Sequence, residues 1–143
     1  MGRIIAIDYG QRRTGLAVTD PSQLIATGLA TVETSVLLSW LEQYMAGEHV
    51  EAIVLGEPRQ ADGTPSENMQ RVKAFARQWQ RKHPDIPIHF YDERFTSVLA
   101  HKAMLDGGLR QKARRNKALV DRISATILLE DYLNSRQRHE TTT

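Results

Sequence analysis

The sequence predicts an α/β domain with a mixed five-stranded sheet flanked by helices. Three short apolar and β-branched segments lie close together within the first 32 residues, and only after them does the apolar spacing become that of helices. From there on, helix-like and strand-like segments alternate. Strands joined by short turns form an antiparallel meander, whereas strands separated by helices join a sheet in parallel. The order β-β-β-α-β-α-β-α-α therefore predicts three antiparallel strands followed by parallel βαβ additions.

The first three strands are predicted from short runs that end at turn residues. Arg3–Tyr9 is apolar and β-branched and stops at Gly10, which indicates a buried central strand. Thr14–Thr19 and Leu24–Val32 are the second and third candidates. Gly10 and Gly15 bracket the first turn, where the lack of a side chain lets a ligand approach the backbone.

The later elements follow from apolar spacing and from start and stop residues. Thr64–Glu67 has the pattern of a capping box with proline at the first helical position, which predicts that the second helix starts there. We expect residues 1–138 to form a single domain and residues 139–143 to be a disordered tail. The predicted elements are a helix that Thr34 or Ser35 caps and Gly47 ends, strand Ala52–Gly56, helix Thr64–His83, strand Ile86–Tyr91, helix Thr96–Gly107 and helix Lys117–Asn134.

Composition excludes several classes of protein. The 143-residue chain has no cysteine, which removes disulfides, thiol catalysis and cysteine-bound zinc and is compatible with a reducing cytoplasm. The apolar run near the N-terminus is too short for a signal peptide or a membrane span, so we expect no membrane association. The formal net charge of +2 does not by itself argue for a nucleic-acid partner.

Acidic residues stand where two predicted strands end. Asp8 ends strand one in an apolar run, where a carboxylate is costly to bury unless it is paired or holds a cation. The alternatives are an aspartate that caps a turn and one that accepts hydrogen bonds from nearby backbone N–H groups. Asp92 and Glu93 end strand five, and alternation puts them on opposite faces, so only one of the two is expected to face Asp8. Arg94 is suited to pair with a carboxylate or a phosphate, although a solvated loop also explains this triplet.

A third acid lies on the last predicted helix. Asp121 shares a helical face with Ala125 and Leu128, so we expect it to face inward, toward a metal or toward an arginine or backbone partner. Carboxylates at two strand ends and on a covering helix are the donors that Mg²⁺ or Mn²⁺ prefers. Paired cations stabilise both oxygens of a phosphodiester displacement. Glu57, at the end of strand four, is a candidate fourth acid in the same crevice.

A basic segment precedes the helix that carries Asp121. Such a run is often only a solvated loop, but here it is placed to hold a phosphate backbone over the acids. The glycine pair Gly107-Gly108 at its base would permit movement. The cations of this basic segment are Arg110, Lys112, Arg114, Arg115 and Lys117.

In order and spacing, these motifs resemble the YqgF/RuvX family over Gly2 to about Tyr132. The resemblance is carried by Asp8-Tyr-Gly10 with Gly15-Leu-Ala-Val, Asp62-Gly63-Thr64, Asp92-Glu93-Arg94, and Asp121 followed by Ser124-Ala125.

This resemblance implies a ribonuclease H-like fold and divalent-metal hydrolysis of phosphodiester bonds. Asp8, Glu93 and Asp121 would be the catalytic, metal-holding acids, and Gly10, Arg94 and the basic segment would bind substrate. The sequence departs from the family where Gly56-Glu57-Pro58 replaces the more usual Gly-Leu-Pro. That change leaves open whether Glu57 replaces or supplements Glu93.

The resemblance further implies a cytoplasmic role in maturing the 5′ end of 16S ribosomal RNA, with nucleic acid as partner. A resolvase of four-way DNA junctions and a non-catalytic RNA-binding assembly factor are the alternatives. Asp8-x-Gly10 also resembles the first phosphate motif of actin-like ATPases, but those proteins close two such domains around a nucleotide and this chain supplies one. RNA or DNA as substrate, endo- or exonuclease action and oligomeric state stay open.

Overall fold

The computed structural model describes residues 2–58, 63–93 and 117–142, with the backbone alone given for 117 and 137–142. The strands are β1 (Arg3–Asp8), β2 (Arg13–Thr19), β3 (Ala26–Glu33), β4 (Val50–Glu57) and β5 (Ile88–Asp92). The helices are α1 (Leu37–Gly47), preceded by a 3₁₀ turn at Thr34–Val36, then α2 (Met69–Lys82) and α3 (Lys117–Thr142).

The five strands form one mixed sheet in the order β3-β2-β1-β4-β5. β1 pairs antiparallel with β2, which pairs antiparallel with β3, while β1, β4 and β5 run parallel. The central position of β1 follows from its sequence, because a strand covered on both faces must be apolar throughout. The predicted fold class, including the antiparallel start and the parallel additions, is confirmed.

The sheet separates two apolar layers, and alternation along β1 assigns its residues to them. Ile5 and Ile7 point to the side covered by α1 and α2, where Trp79 is fully buried. Ile4 and Ala6 point to the side covered by α3. Because side chains alternate, Asp8 continues the second set and lies on the α3 side of the sheet.

The predicted start of the second helix is wrong. The capping-box residues Thr64–Glu67 lie before α2, which begins at Met69. Within this stretch the Ser66 N–H donates to the Pro58 carbonyl at 2.9 Å, and the Met69 N–H donates to the Ser66 carbonyl. A contact with the end of β4 therefore overrides the local preference for a helical turn.

The third strand begins later than predicted, because an aspartate organises the turn before it. The Asp20 carboxylate accepts hydrogen bonds from the N–H groups of Leu24 and Ile25 at 2.9 and 2.7 Å. These bonds, led by the one from Ile25, hold the pKa of Asp20 below its ordinary value. Leu24 and Ile25 consequently lie in an exposed turn, and β3 starts at Ala26.

The other predicted elements agree with the structure in type and differ in their ends. α3 continues beyond the predicted end at Asn134 as far as Thr142. The helix predicted for Thr96–Gly107 lies outside the described residues. The single domain and the frayed tail stay predictions. None of the described helices carries a stretch long and apolar enough to cross a membrane.

Gly15 sets how closely α3 approaches the sheet. A Cβ atom at this position would overlap the backbone carbonyl of Asp121, and neither β2 nor α3 can yield easily because both are packed into the core. We expect Gly15→Ala to lower the free energy of unfolding by about 1–3 kcal/mol or more, as overpacking does. Urea denaturation followed by circular dichroism measures this effect.

Gly47→Ala is the matched control for this substitution. A Cβ there meets nothing within 4 Å, and the residue ends α1. We expect it to unfold at the same urea concentration as the wild type or slightly higher, because alanine favours the helix. Equal stability of the Gly15 and Gly47 variants would contradict the close approach of α3.

Candidate active site

Asp8 occupies the centre of the candidate site. It ends β1, and only 9% of its surface is exposed. In the antiparallel register its partner on β2 is Gly15. On the other side β1 pairs in parallel with β4, where Ile7 is opposite Leu55. The next residue along β4, Gly56, therefore lies beside Asp8. The carboxylate thus stands between two residues without side chains, which leaves room around it on the α3 side.

Asp121 reaches the site from above Gly15. The backbone of α3 passes directly over that glycine at Asp121, which brings Asp121 next to the strand pair that holds Asp8. Ala125 and Leu128 of the same helical face are fully buried, as the spacing predicts. Asp121 lies at the end of this face, and its side chain keeps 25% exposure.

Arg13 contacts Asp121 and was not among the residues predicted from the sequence. Its Nε donates to Oδ2 of Asp121 at 3.1 Å. Its place in the sequence could have indicated which side it faces. Arg13 is the first residue of β2 and lies two residues before Gly15, so alternation puts both on the α3 side. The arginine partner that the sequence left open for Asp121 is therefore present.

Glu93 approaches Asp8 from the other flank. The preceding residues His89 and Tyr91 contact Tyr132 of α3, at 6.2 and 6.0 Å between ring centroids, so β5 points its odd-numbered residues to the α3 side. A Cβ at Gly56 would lie 2.6 Å from Oε1 of Glu93. Glu93 is 4% exposed, and its carboxylate therefore lies against the residue that borders Asp8.

Glu57 and Asp92 lie on the opposite side of the sheet. Glu57 accepts a hydrogen bond from Lys73 of α2 at 3.0 Å, and Asp92 is its register partner on β5. The expectation that Glu57 faces the crevice with Asp8 is wrong. Glu57 directly follows Gly56 on β4, and successive residues of a strand point to opposite sides of the sheet. Of the two neighbouring acids Asp92 and Glu93, Glu93 is the one that lies on the same side of the sheet as Asp8.

The donors around Asp8 suit a hard divalent cation. All three acids offer carboxylate oxygens, and two of them are almost fully buried, where a cation offsets their mutual repulsion. Among residues 2–58, 63–93 and 118–136, no three acidic or histidine side chains already form a cluster that would hold a metal. The described arrangement places all three acids on the α3 side of the sheet, near the end of β1.

The predicted substrate-binding residues are only partly described. Gly10 lies in the β1–β2 connection, where its carbonyl accepts a 2.7 Å hydrogen bond from Thr34 and where a Cβ would overlap the backbone of Arg13. Its observed role is to permit this tight turn. Lys117 opens α3, but its side chain is not described. The remaining residues lie outside the described part of the chain, and their roles stay predictions: Arg94, Arg110, Lys112, Arg114 and Arg115.

The fold and the acids together define the class of protein. Three antiparallel strands, two parallel additions and a helix across the sheet carry acids at the ends of β1 and β5 and on that helix. This is the architecture of a ribonuclease H-like protein.

Comparison with known proteins identifies the family. The family model RuvX, described as Holliday junction resolvase, matches residues 2–135. A relative from Phocaeicola vulgatus, provisionally named a pre-16S rRNA nuclease, is 58% identical over 137 residues, covering 96% of this chain and 99% of its own. Relatives of the same name from Bacteroides thetaiotaomicron and Flavobacterium psychrophilum are 53% and 48% identical, with coverage of at least 95% of each chain. The chain belongs to the RuvX family and is a nuclease, a hydrolase of phosphodiester bonds.

Gly56 keeps the Glu93 carboxylate in place, and a methyl group there should displace it. The clashing atom is the far end of a flexible side chain, so we expect Gly56→Ala to fold while losing about ten- to a hundredfold in nuclease rate, as small misplacements of site groups do. The rate of nucleic-acid cleavage and the thermal midpoint are measured on the same preparation.

Gly28→Ala is the control for a methyl group added on the same side of the sheet. Its Cβ would lie 3.3 Å from Oγ1 of Thr126, away from the acids. We expect activity close to that of the wild type. A Gly56→Ala protein as active as Gly28→Ala would show that the position of Glu93 does not matter for cleavage.

Proposed function

We propose that this nuclease depends on a divalent cation and processes the 5′ end of 16S ribosomal RNA precursors in the cytoplasm. The observation that carries the chemistry is the convergence of Asp8, Glu93 and Asp121 on one side of the sheet, around the end of β1. The names of the close relatives support the choice of RNA precursor as substrate.

The three acids divide the task by position. Asp8 lies between the other two acids, and Asp8, Glu93 and Asp121 would together hold the cation. A bound Mg²⁺ or Mn²⁺ supplies an activated water and offsets charge on the scissile phosphate. The sheet and the helix hold the backbones that carry these donors, which limits how far each carboxylate must move to reach a cation.

A second candidate function is cleavage of four-way DNA junctions. The description of the matching family model favours it. The same acids serve either substrate, because phosphodiester hydrolysis is common to both. A protein that binds RNA without cleaving it would need the basic segment but not three acids on one side of the sheet.

The most direct mutational test replaces the central acid. We expect Asp8→Asn to lower the cleavage rate by on the order of a hundredfold or more, because it removes a charged donor from the cation site. The assay compares a single-stranded RNA that spans a precursor end with a synthetic four-way DNA junction, each with Mg²⁺, with Mn²⁺ and with chelator. Circular dichroism verifies that the variant folds.

Glu57→Gln is the matched control, because Glu57 ends the neighbouring strand on the other side of the sheet. We expect its rate to stay within about threefold of the wild type, since a group that does not touch the reacting atoms contributes little to the barrier. If the protein cleaves the RNA and not the junction, the proposed RNA substrate is supported. If it cleaves only the junction, the substrate is four-way junction DNA. Unchanged cleavage by a folded Asp8→Asn protein would refute the three-acid site.

The basic segment is proposed to hold the phosphate backbone. We expect Arg114→Gln with Arg115→Gln to weaken RNA binding and to lower the slope of log affinity against log salt by about 0.7 for each phosphate that the variant no longer neutralises. Affinity for Mn²⁺ should not change. Fluorescence anisotropy over a range of salt concentrations measures the slope.

The same double substitution at Arg77 and Arg81 provides the control. Both residues are exposed on α2, on the far side of the sheet from the acids. An equal fall in affinity and slope for both double variants would mean that only net charge matters, which contradicts a specific clamp.

A further inference from the structure

The ion pair between Arg13 and Asp121 lies within the proposed cation site. Arg13 is the first residue of β2, Asp121 is on α3, and the guanidinium Nε lies 3.1 Å from the carboxylate. The close passage of α3 over Gly15 fixes the backbones on which both side chains stand. The fold therefore determines this ion pair, since it places the two side chains within reach of each other.

Stability does not account for this pair. The side chains of Arg13 and Asp121 are 41% and 25% exposed, and ion pairs that exposed to water contribute little to folding. α3 is already held by the fully buried side chains of Ala125, Leu128 and Leu129. What distinguishes the pair is its position, because it holds one of the three acids that converge around Asp8.

We propose that Arg13 is a positioning residue, the counter-ion that holds the Asp121 carboxylate until a divalent cation binds and displaces the guanidinium. This inference rests on the proposed cation site. A guanidinium and a divalent cation held on the same carboxylate repel each other, so binding of one weakens binding of the other.

The exchange has a measurable consequence for cation affinity. A site whose competent form is populated for a fraction of the time binds with an affinity reduced by that fraction. If the Arg13–Asp121 pair is formed for about nine-tenths of the time, it lowers the apparent affinity about tenfold. Removing the guanidinium should therefore tighten the binding of a cation, although it removes an ion pair from the structure.

The test is a titration of the full chain with Mn²⁺, with the free ion followed by electron paramagnetic resonance. We expect Arg13→Gln to bind Mn²⁺ about tenfold more tightly than the wild type. Arg12→Gln is the control, because Arg12 is exposed, directly precedes Arg13 in the chain, and loses the same charge when substituted. The control should change affinity by less than about threefold, since an exposed charge is screened by solvent.

A second readout follows the guanidinium itself. In ¹⁵N-labelled protein, the Nε–H resonance of Arg13 should move on saturation with Mg²⁺ to the position that it has in Asp121→Asn without metal. Two results would overturn the proposal that the cation displaces Arg13: a resonance that stays in place at saturation, or equal Mn²⁺ affinities of Arg13→Gln and wild type. Neither result would contradict the proposed cation site. Failure of all variants, wild type included, to bind Mn²⁺ would instead overturn the proposed cation site and the exchange with it.

Discussion

The space left by two glycines beside Asp8 is the constraint on which the site depends. Gly15 on β2 admits the backbone of α3 and so brings Asp121 to the end of β1. Gly56 on β4 leaves the volume that the Glu93 carboxylate occupies. A side chain at either position would move one acid away from the centre. Close backbone approach thus fixes where the main chain carries Asp121 and where the Glu93 side chain has room, while Arg13 holds the Asp121 carboxylate itself.

The acids at the ends of β1, β4 and β5 point to two different sides of the sheet, because side chains alternate along each strand. Asp8 and Glu93 share the α3 side, whereas Glu57 pairs with Lys73 on the α2 side. A shift of one residue in register would reverse this assignment, because successive side chains point to opposite faces. The packing of the two layers opposes such a shift, because Ile5 and Ile7 fill the layer under α1 and α2 while the small Ala6 lies under α3. The core therefore fixes the chemistry at the edge as well as the stability of the sheet.

The sequence predicts the mixed sheet, with its antiparallel start and parallel additions, because that inference uses local periods of two and 3.6 residues. The family resemblance, and not these periods, selects Asp8, Glu93 and Asp121 as the metal-holding acids, and that role stays a prediction. The sequence misplaces the start of α2, since the bond from Ser66 to Pro58 joins segments whose proximity no local pattern reveals. Arg13 was missed for the same reason. Its bond to Asp121 spans 108 residues and depends on where α3 crosses β2. Long-range contacts decide these details, and they become visible only in the folded chain.

The central claim is that Asp8, Glu93 and Asp121 together bind a divalent cation. Crystals grown with Mn²⁺ and measured at the manganese absorption edge test it directly, because anomalous density locates the ion without assumptions about the ligands. The account predicts a peak on the α3 side of the sheet, with oxygens of Asp8 and Glu93 as direct ligands and with Asp121 turned from Arg13 toward the ion. A peak beside Glu57, or an active enzyme with no ion near Asp8, would contradict it.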